Sequence, residues 1–202
     1  MESIMKTAET LRKRGYDVSC FETGEDAAAY IDSKIDGFTV GFGDSETIMS
    51  LSLYERLSSH NEVYDPKHPR EGKGFYDTAR ICLTTEIFLT SVNGIAETGE
   101  MVNIDGTGNR VAGSLYGHRK VYFVAGRNKI SPNLEEAAQR ARNVVAPKNA
   151  ARHQYKTPCA VHEDRCYDYS SANRICNAQV IYWRKMNHMD MELVLINEDL
   201  GL

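Results

Sequence analysis

Short apolar runs recur along this chain with helical segments between them, and that alternation limits its fold more than any other feature. The runs DVSCF (17–21), FTVGF (38–42), EIFLTSV (86–92) and VYFVA (121–125) read as strands. Between them lie segments with helical spacing: Ile4, Ala8 and Leu11 mark a helix over 1–14 that Gly15 stops, and Thr23 caps one carrying Ala27, Tyr30 and Ile31. Strands joined through helical crossovers of about ten or more residues lie parallel in one sheet, with helices on both faces. Further helices are predicted over Glu46–Leu57, Tyr76–Leu83 and about Gly108–Tyr116, with the longest opening at Pro132-Asn133-Leu134 and ending at Pro147. Glu62–Tyr64 is a short strand, NGIAETGEMVNID (93–105) a hairpin, and Asp65–Gly74 a polar loop. Two late strands, Ala178–Trp183 and Leu193–Ile196, have no helix between them and are expected to pair as a hairpin, a short antiparallel C-terminal addition.

With 202 residues, 42% of them hydrophobic and 26% charged, the chain has one core's worth of apolar side chains, and a single domain over 1–202 is expected. The net charge of −4 argues against nucleic acid as a partner. It is unevenly spread: Lys148–Lys185 carries seven basic and three acidic residues, leaving the remainder at −8. No run approaches the roughly 18 to 20 apolar residues of a membrane span, and the first residues lack an apolar signal core, so a cytoplasmic location is expected. The odd count of five cysteines fits reduced thiols.

Three constellations could carry chemistry. In GFGDSET (41–47), a strand turns into a helix, so backbone N–H groups with Ser45 and Thr47 would face outward near Gly41 and Gly43, a place for an anion. The segment NIDGTGNR (103–110) is the densest polar cluster: Gly106 and Gly108 admit close backbone approach, and Asp105, Thr107, Asn109 and Arg110 supply polar groups and a cation. It reads equally as an Asp-Gly turn capping a helix. Upstream lies Asn93, and Glu97 or Asp105 could serve as base or nucleophile. Asn128 and Lys129 follow a strand and would stand at the binding edge of a parallel sheet. The third constellation is Cys159, Cys166 and Cys176 with His162 and His153, thiolates and imidazoles that could hold zinc or an iron–sulfur cluster, though spaced more widely than C-x2-C.

Taken together, GFGDSETI, FLTSVNGIAETGEMVNIDGTGNRVAGSLYG, VYFVAGRNKI, NLEEAAQRARNVVAPKNAARH, TPCAVH, RICN and INEDLGL resemble the LUD domain of the LutC/YkgG-like lactate-utilization proteins. The resemblance implies a NagB/RpiA/CoA-transferase-like α/β fold, in which strand-end turns hold the phosphate or coenzyme part of ligands. Two positions depart from the family pattern: Asp44 stands for the second glycine of a G-G-S turn, and Tyr169 for a cysteine three residues after Cys166. A four-cysteine site cannot form from those residues alone.

The resulting expectation is a protein of lactate or organic-acid utilization that binds a small anionic metabolite or coenzyme within an oxidoreductase system, alongside iron–sulfur lactate-oxidising components. Two alternatives stand beside it: a free-standing isomerase or transferase acting on a phosphorylated or CoA-linked substrate, and an assembly or metal-binding subunit docking through the basic cysteine segment at 148–188. A homodimer is an admissible assembly.

Overall fold

The computed structural model describes residues 2–202; Met1, placed in the first helix by the sequence reading, lies outside them. Six parallel strands form the main sheet in the order β1 (Asp17–Phe21), β10 (Asp190–Ile196), β7 (Lys120–Gly126), β4 (Ile87–Thr90), β2 (Thr39–Phe42), β3 (Glu62–Tyr64). Alternate residues of each strand point to opposite faces, and each face is buried under its own helices. On one side α1 (Glu2–Lys13) sets Ile4, Ala8 and Leu11 against Phe123, Leu193 and Leu195, with Cys82 of α5 (Phe75–Cys82) in the same cluster. On the other, α2 (Gly24–Lys34), α3 (Glu46–Met49) and α4 (Leu53–Ser58) bring Ile31, Ile48, Leu53 and Leu57 onto Val40, Leu89, Val124 and Val194.

A smaller sheet packs beside the first, ordered β8 (Ile130–Ser131), β5 (Gly94–Ala96), β6 (Met101–Asp105), β9 (Ala178–Tyr182). The predicted hairpin at 93–105 is its β5–β6 pair. The C-terminal antiparallel addition is β9, but its partner is β6. The expected hairpin between the two last strands does not form, because β10 inserts between β1 and β7 as a parallel strand. Burial decides this: Leu193 to Ile196 are apolar on both faces, as a central parallel strand requires, and an exposed edge hairpin would leave half of them in water.

Two helices also depart from expectation. The segment 46–57 breaks into α3 and α4 at Ser52, which adopts a left-handed conformation (φ 50°). The long helix does not end at Pro147; it runs on from α7 (Leu134–Arg140) through a π turn (Ala141–Val145) into α8 (Ala146–Arg152). In that turn the Ala146 N–H reaches back five residues to the Ala141 carbonyl. The widened turn makes room for a ring that lacks an N–H and would clash in a regular helix interior. The remaining elements are α6 (Asn109–Leu115), a 3-10 turn at Arg127–Lys129 and α9 (Pro158–His162). No described helix is long and apolar enough to cross a membrane.

Candidate functional site

Because the six strands are parallel, all their carboxyl ends open on one edge, where ligands of open α/β sheets bind. A cleft of about 540 Å³ lies there, within the usual size range for small-molecule sites. The turn after β2 (Gly43–Thr47), Ser91 to Asn93 after β4 and Lys129 after β7 form its main-sheet side. The β6–α6 loop, α8 and the segment Arg174–Asn177 close it from the other.

In a chain of net charge −4, five lysine and arginine side chains line this cleft against three acidic side chains. The carboxylates are already matched. Asp44 lies 3.3 Å from Lys67, Glu46 pairs with Arg152, and Asp105 faces Arg110 at 3.8 Å. Asp105 also accepts from the backbone N–H of Gly108 (2.8 Å) and Val111 (3.1 Å), which caps the start of α6. The capping alternative therefore accounts for both of its oxygens.

Lys129 has no such match. It is 4% exposed, and its Nζ donates to the hydroxyls of Thr47 and Ser91, each at 2.8 Å. Among the described residues no carboxylate lies within ion-pair distance of it. Burial, reinforced by the positive charges of Arg140 and Arg110, pushes its pKa down to about 7. Arg140 is itself spent on backbone, donating to the carbonyls of Asn128 (2.8 Å) and Asn93 (2.6 Å). A buried lysine held by two neutral hydroxyls in the positive field of two arginines is a site that lacks an anion.

Residues 4–196 match the LUD domain, nearly the whole chain. The chain belongs to the LUD-domain family. A solved structure of a DUF162 family protein from Deinococcus radiodurans superposes with a TM-score of 0.56 over 96% of each chain at 13% identity, a likeness of fold. No curated protein matches the sequence.

This LUD domain brings together most of the residues expected at the strand ends. Gly43, Ser45, Thr47, Asn93, Asp105, Gly106, Thr107, Asn109, Arg110 and Lys129 all line the cleft. Ser45 caps α3 by accepting from the Ile48 N–H. Asp44, standing where the family pattern has glycine, takes the left-handed conformation (φ 51°) that glycine would adopt freely. Gly106 answers to close packing: a Cβ there would meet the Ile175 carbonyl oxygen at 2.3 Å, so the basic cysteine segment lies directly on this loop. Asn177 fastens it, donating to the carbonyls of Asp105 (2.9 Å) and Gly106 (3.0 Å).

Other expected positions fall elsewhere. Glu97, expected as a base, sits on the outer surface with Ser3 (2.8 Å) and Lys6 (2.6 Å) of α1, whose donated hydrogen bonds lower its pKa. Gly41 lies inside β2, where a Cβ would strike Thr85 and the backbone of Cys82, so it serves helix-on-sheet packing. Gly108 caps α6 outside the cleft. Asn128 brackets Leu200 through both backbone groups and holds the chain that follows β10.

Among the described residues, no three His, Cys, Asp or Glu side chains gather into a metal-holding group. Cys159 is buried against Thr157 and Tyr169, the residue in the place of the family cysteine. Cys166 lies near Arg142, Cys176 faces the cleft wall, and the His162 ring packs on Tyr167. The ligand set Cys159, Cys166, Cys176 and His162 is thus not assembled. His153 is on the cleft, its pKa lowered by burial and by Arg152 and Lys67.

Sequence reasoning missed Ser91, Lys67, Asn149 and Arg152 as cleft residues. Lys67 belonged to a polar loop and Arg152 to the basic segment, so charge alone pointed to them. Ser91 carried no signal, since a lone serine after a strand is ordinary.

Proposed function

We propose that the cleft of this LUD domain binds a small organic anion of the lactate-utilization class, with the ligand carboxylate drawn to Lys129. One observation supports this above the others: a lysine 4% exposed at the carboxyl edge of the sheet, held among the described residues by two hydroxyls and no carboxylate. A buried charge without a partner costs several kcal/mol, and an incoming carboxylate offsets that cost by supplying the counter-charge. Arg110, though committed to Asp105, Asn93 and the Ile104 carbonyl, lines the same cleft and adds to the positive field at Lys129. The cleft is larger than a three-carbon acid, which leaves its outer part for a coenzyme-type ligand. Within the oxidoreductase system suggested by the family, the domain would act alongside iron–sulfur lactate-oxidising components, holding substrate or product.

A thermal-shift panel tests this reading with lactate, pyruvate, sugar phosphates, nucleotides and CoA esters. The expected result is a rise in melting temperature with at least one organic acid, lost in Lys129→Met. No response to any member of the panel would overturn it. A response confined to sugar phosphates or CoA esters would favour the isomerase or transferase alternative instead.

A further inference from the structure

We propose that Lys129, set between the hydroxyls of Thr47 and Ser91 in the cleft that Arg110 also lines, is a nucleophile that captures a 2-oxo acid as an imine. The proposal rests on the cleft being an organic-anion site, and adds that the bound acid carries a carbonyl next to its carboxylate.

The hydrogen-bond directions prepare Nζ for this role. Both hydroxyls accept from Lys129 at 2.8 Å. Their own protons point onward: Ser91 donates to Thr47 Oγ1 and Thr47 to the Leu200 carbonyl, each at 3.4 Å. A neutral amine has two hydrogens and one lone pair. Two accepting hydroxyls take the hydrogens and leave the lone pair for an electrophile.

Charge keeps the amine available. The groups acting on Lys129 are Arg110 from α6 and Arg140 from α7, both repulsive to an ammonium, together with the neutral Thr47 of α3 and Ser91. With the pKa pushed down to about 7, a large share of Lys129 is unprotonated at neutral pH, whereas an ordinary surface lysine is almost wholly charged. The same cations favour a substrate with a carboxylate, and in a 2-oxo acid a carboxylate held in that positive field brings the adjacent carbonyl carbon to Nζ.

The step balances without a redox partner. The Nζ lone pair forms a bond to the carbonyl carbon while the C=O π pair moves to oxygen, and a proton passes from nitrogen to that oxygen to give a carbinolamine. The carbinolamine oxygen then takes up one proton and leaves as water as the C=N bond forms. Amine, 2-oxo acid and one proton become an iminium and water. A 2-oxo acid is also the product class of 2-hydroxy-acid oxidation, so the captured species is related to the proposed ligand by two electrons and two protons.

Reductive trapping tests this. The full chain is incubated with pyruvate, and separately with glyoxylate, in the presence of cyanoborohydride, then digested and read by mass spectrometry. The expected result is a stable adduct on the peptide bearing Lys129, formed on the order of a hundredfold faster than on any surface lysine. It should be absent with lactate, which has no carbonyl, and absent in Lys129→Arg, which keeps the charge and is checked for folding by circular dichroism. If pyruvate raises the melting temperature yet leaves Lys129 unmodified, or modifies surface lysines equally, the capture proposal is overturned while the anion site stands. If no organic acid binds and no adduct forms, both fail.

Discussion

Strand β7 begins at a half-buried lysine and leads into a fully buried one, and their surroundings are opposite. Lys120, at the amino end, donates to Glu192 of neighbouring β10 at 2.6 Å, and Glu192 also accepts from Ser19 and Tyr30 at 2.8 Å each. Burial works against the Lys120 ammonium, but the bonds to Glu192 outweigh it and its pKa is raised. Lys129, just past the carboxyl end, meets hydroxyls and arginines, and its pKa is lowered. Residue type is shared; Lys129 is the more deeply buried of the two, and the counter-charge differs. A lysine whose acid is built into the fold is part of the scaffold, and one whose acid must arrive from outside marks where a ligand belongs.

The largest effect should come from stripping Lys120 of its partner. Glu192→Gln is expected to cost about 2–3 kcal/mol in urea unfolding at pH 7, because Lys120 would keep a half-buried charge without its acid. Burial alone would raise the Glu192 pKa, but the bonds from Lys120, Ser19 and Tyr30 overcome it and hold the pKa low. Its stabilisation is therefore complete above the unfolded carboxylate range and is lost as pH falls through the folded value, so the deficit of the variant should shrink in acid.

Lys129→Met should move stability the other way, by about 1–2 kcal/mol of added stability at neutral pH, with loss of organic-acid binding. The sign follows from a folded pKa near 7 against an unfolded value of 10.5: the unfolded chain holds the extra proton between them. The wild type is thus penalised most below about pH 7, and the gap between the two proteins should close as pH rises toward 10. Urea melts at several pH values check this; a variant less stable than wild type across the range would contradict the contrast between the two lysines.

The smallest effect belongs to Glu97, whose ion pair with the exposed Lys6 faces water. Glu97→Gln should leave both the melting temperature and ligand binding unchanged within error, which thermal shift with and without pyruvate would show.

The main sheet was legible because its signals are local. Thr23 caps α2 by accepting from the Asp26 N–H as expected, and strands such as 17–21 and 87–90 stand out by composition. Pairing across the chain was not. Nothing near Leu193–Ile196 reveals that its neighbours are Val18–Phe21 and Phe123–Gly126, since that choice is made by burial of both faces. The cleft divides in the same way. Glycine-rich turns at strand ends announced themselves, whereas the isolation of Lys129 is an absence of nearby acid and has no sequence signature. Asp105 shows the converse, a carboxylate in a promising motif whose oxygens the backbone already occupies.

The π turn at 141–145 has a consequence for the cleft that lies downstream of it. A single extra residue in a helical turn rotates everything after it by about 100° about the helix axis. Asn149, Arg152 and His153 reach the cleft from α8, immediately beyond that turn. The same turn holds the cysteine segment, through Asn143 accepting from the Cys166 N–H at 2.9 Å and Arg142 donating to Asp168. Removing one residue between Ala141 and Val145 would take out that extra phase, swing those cleft side chains away from their present aim and set the Pro147 ring against the preceding turn. Their aim is thus set by helical phase, a property that no substitution within α8 could reproduce.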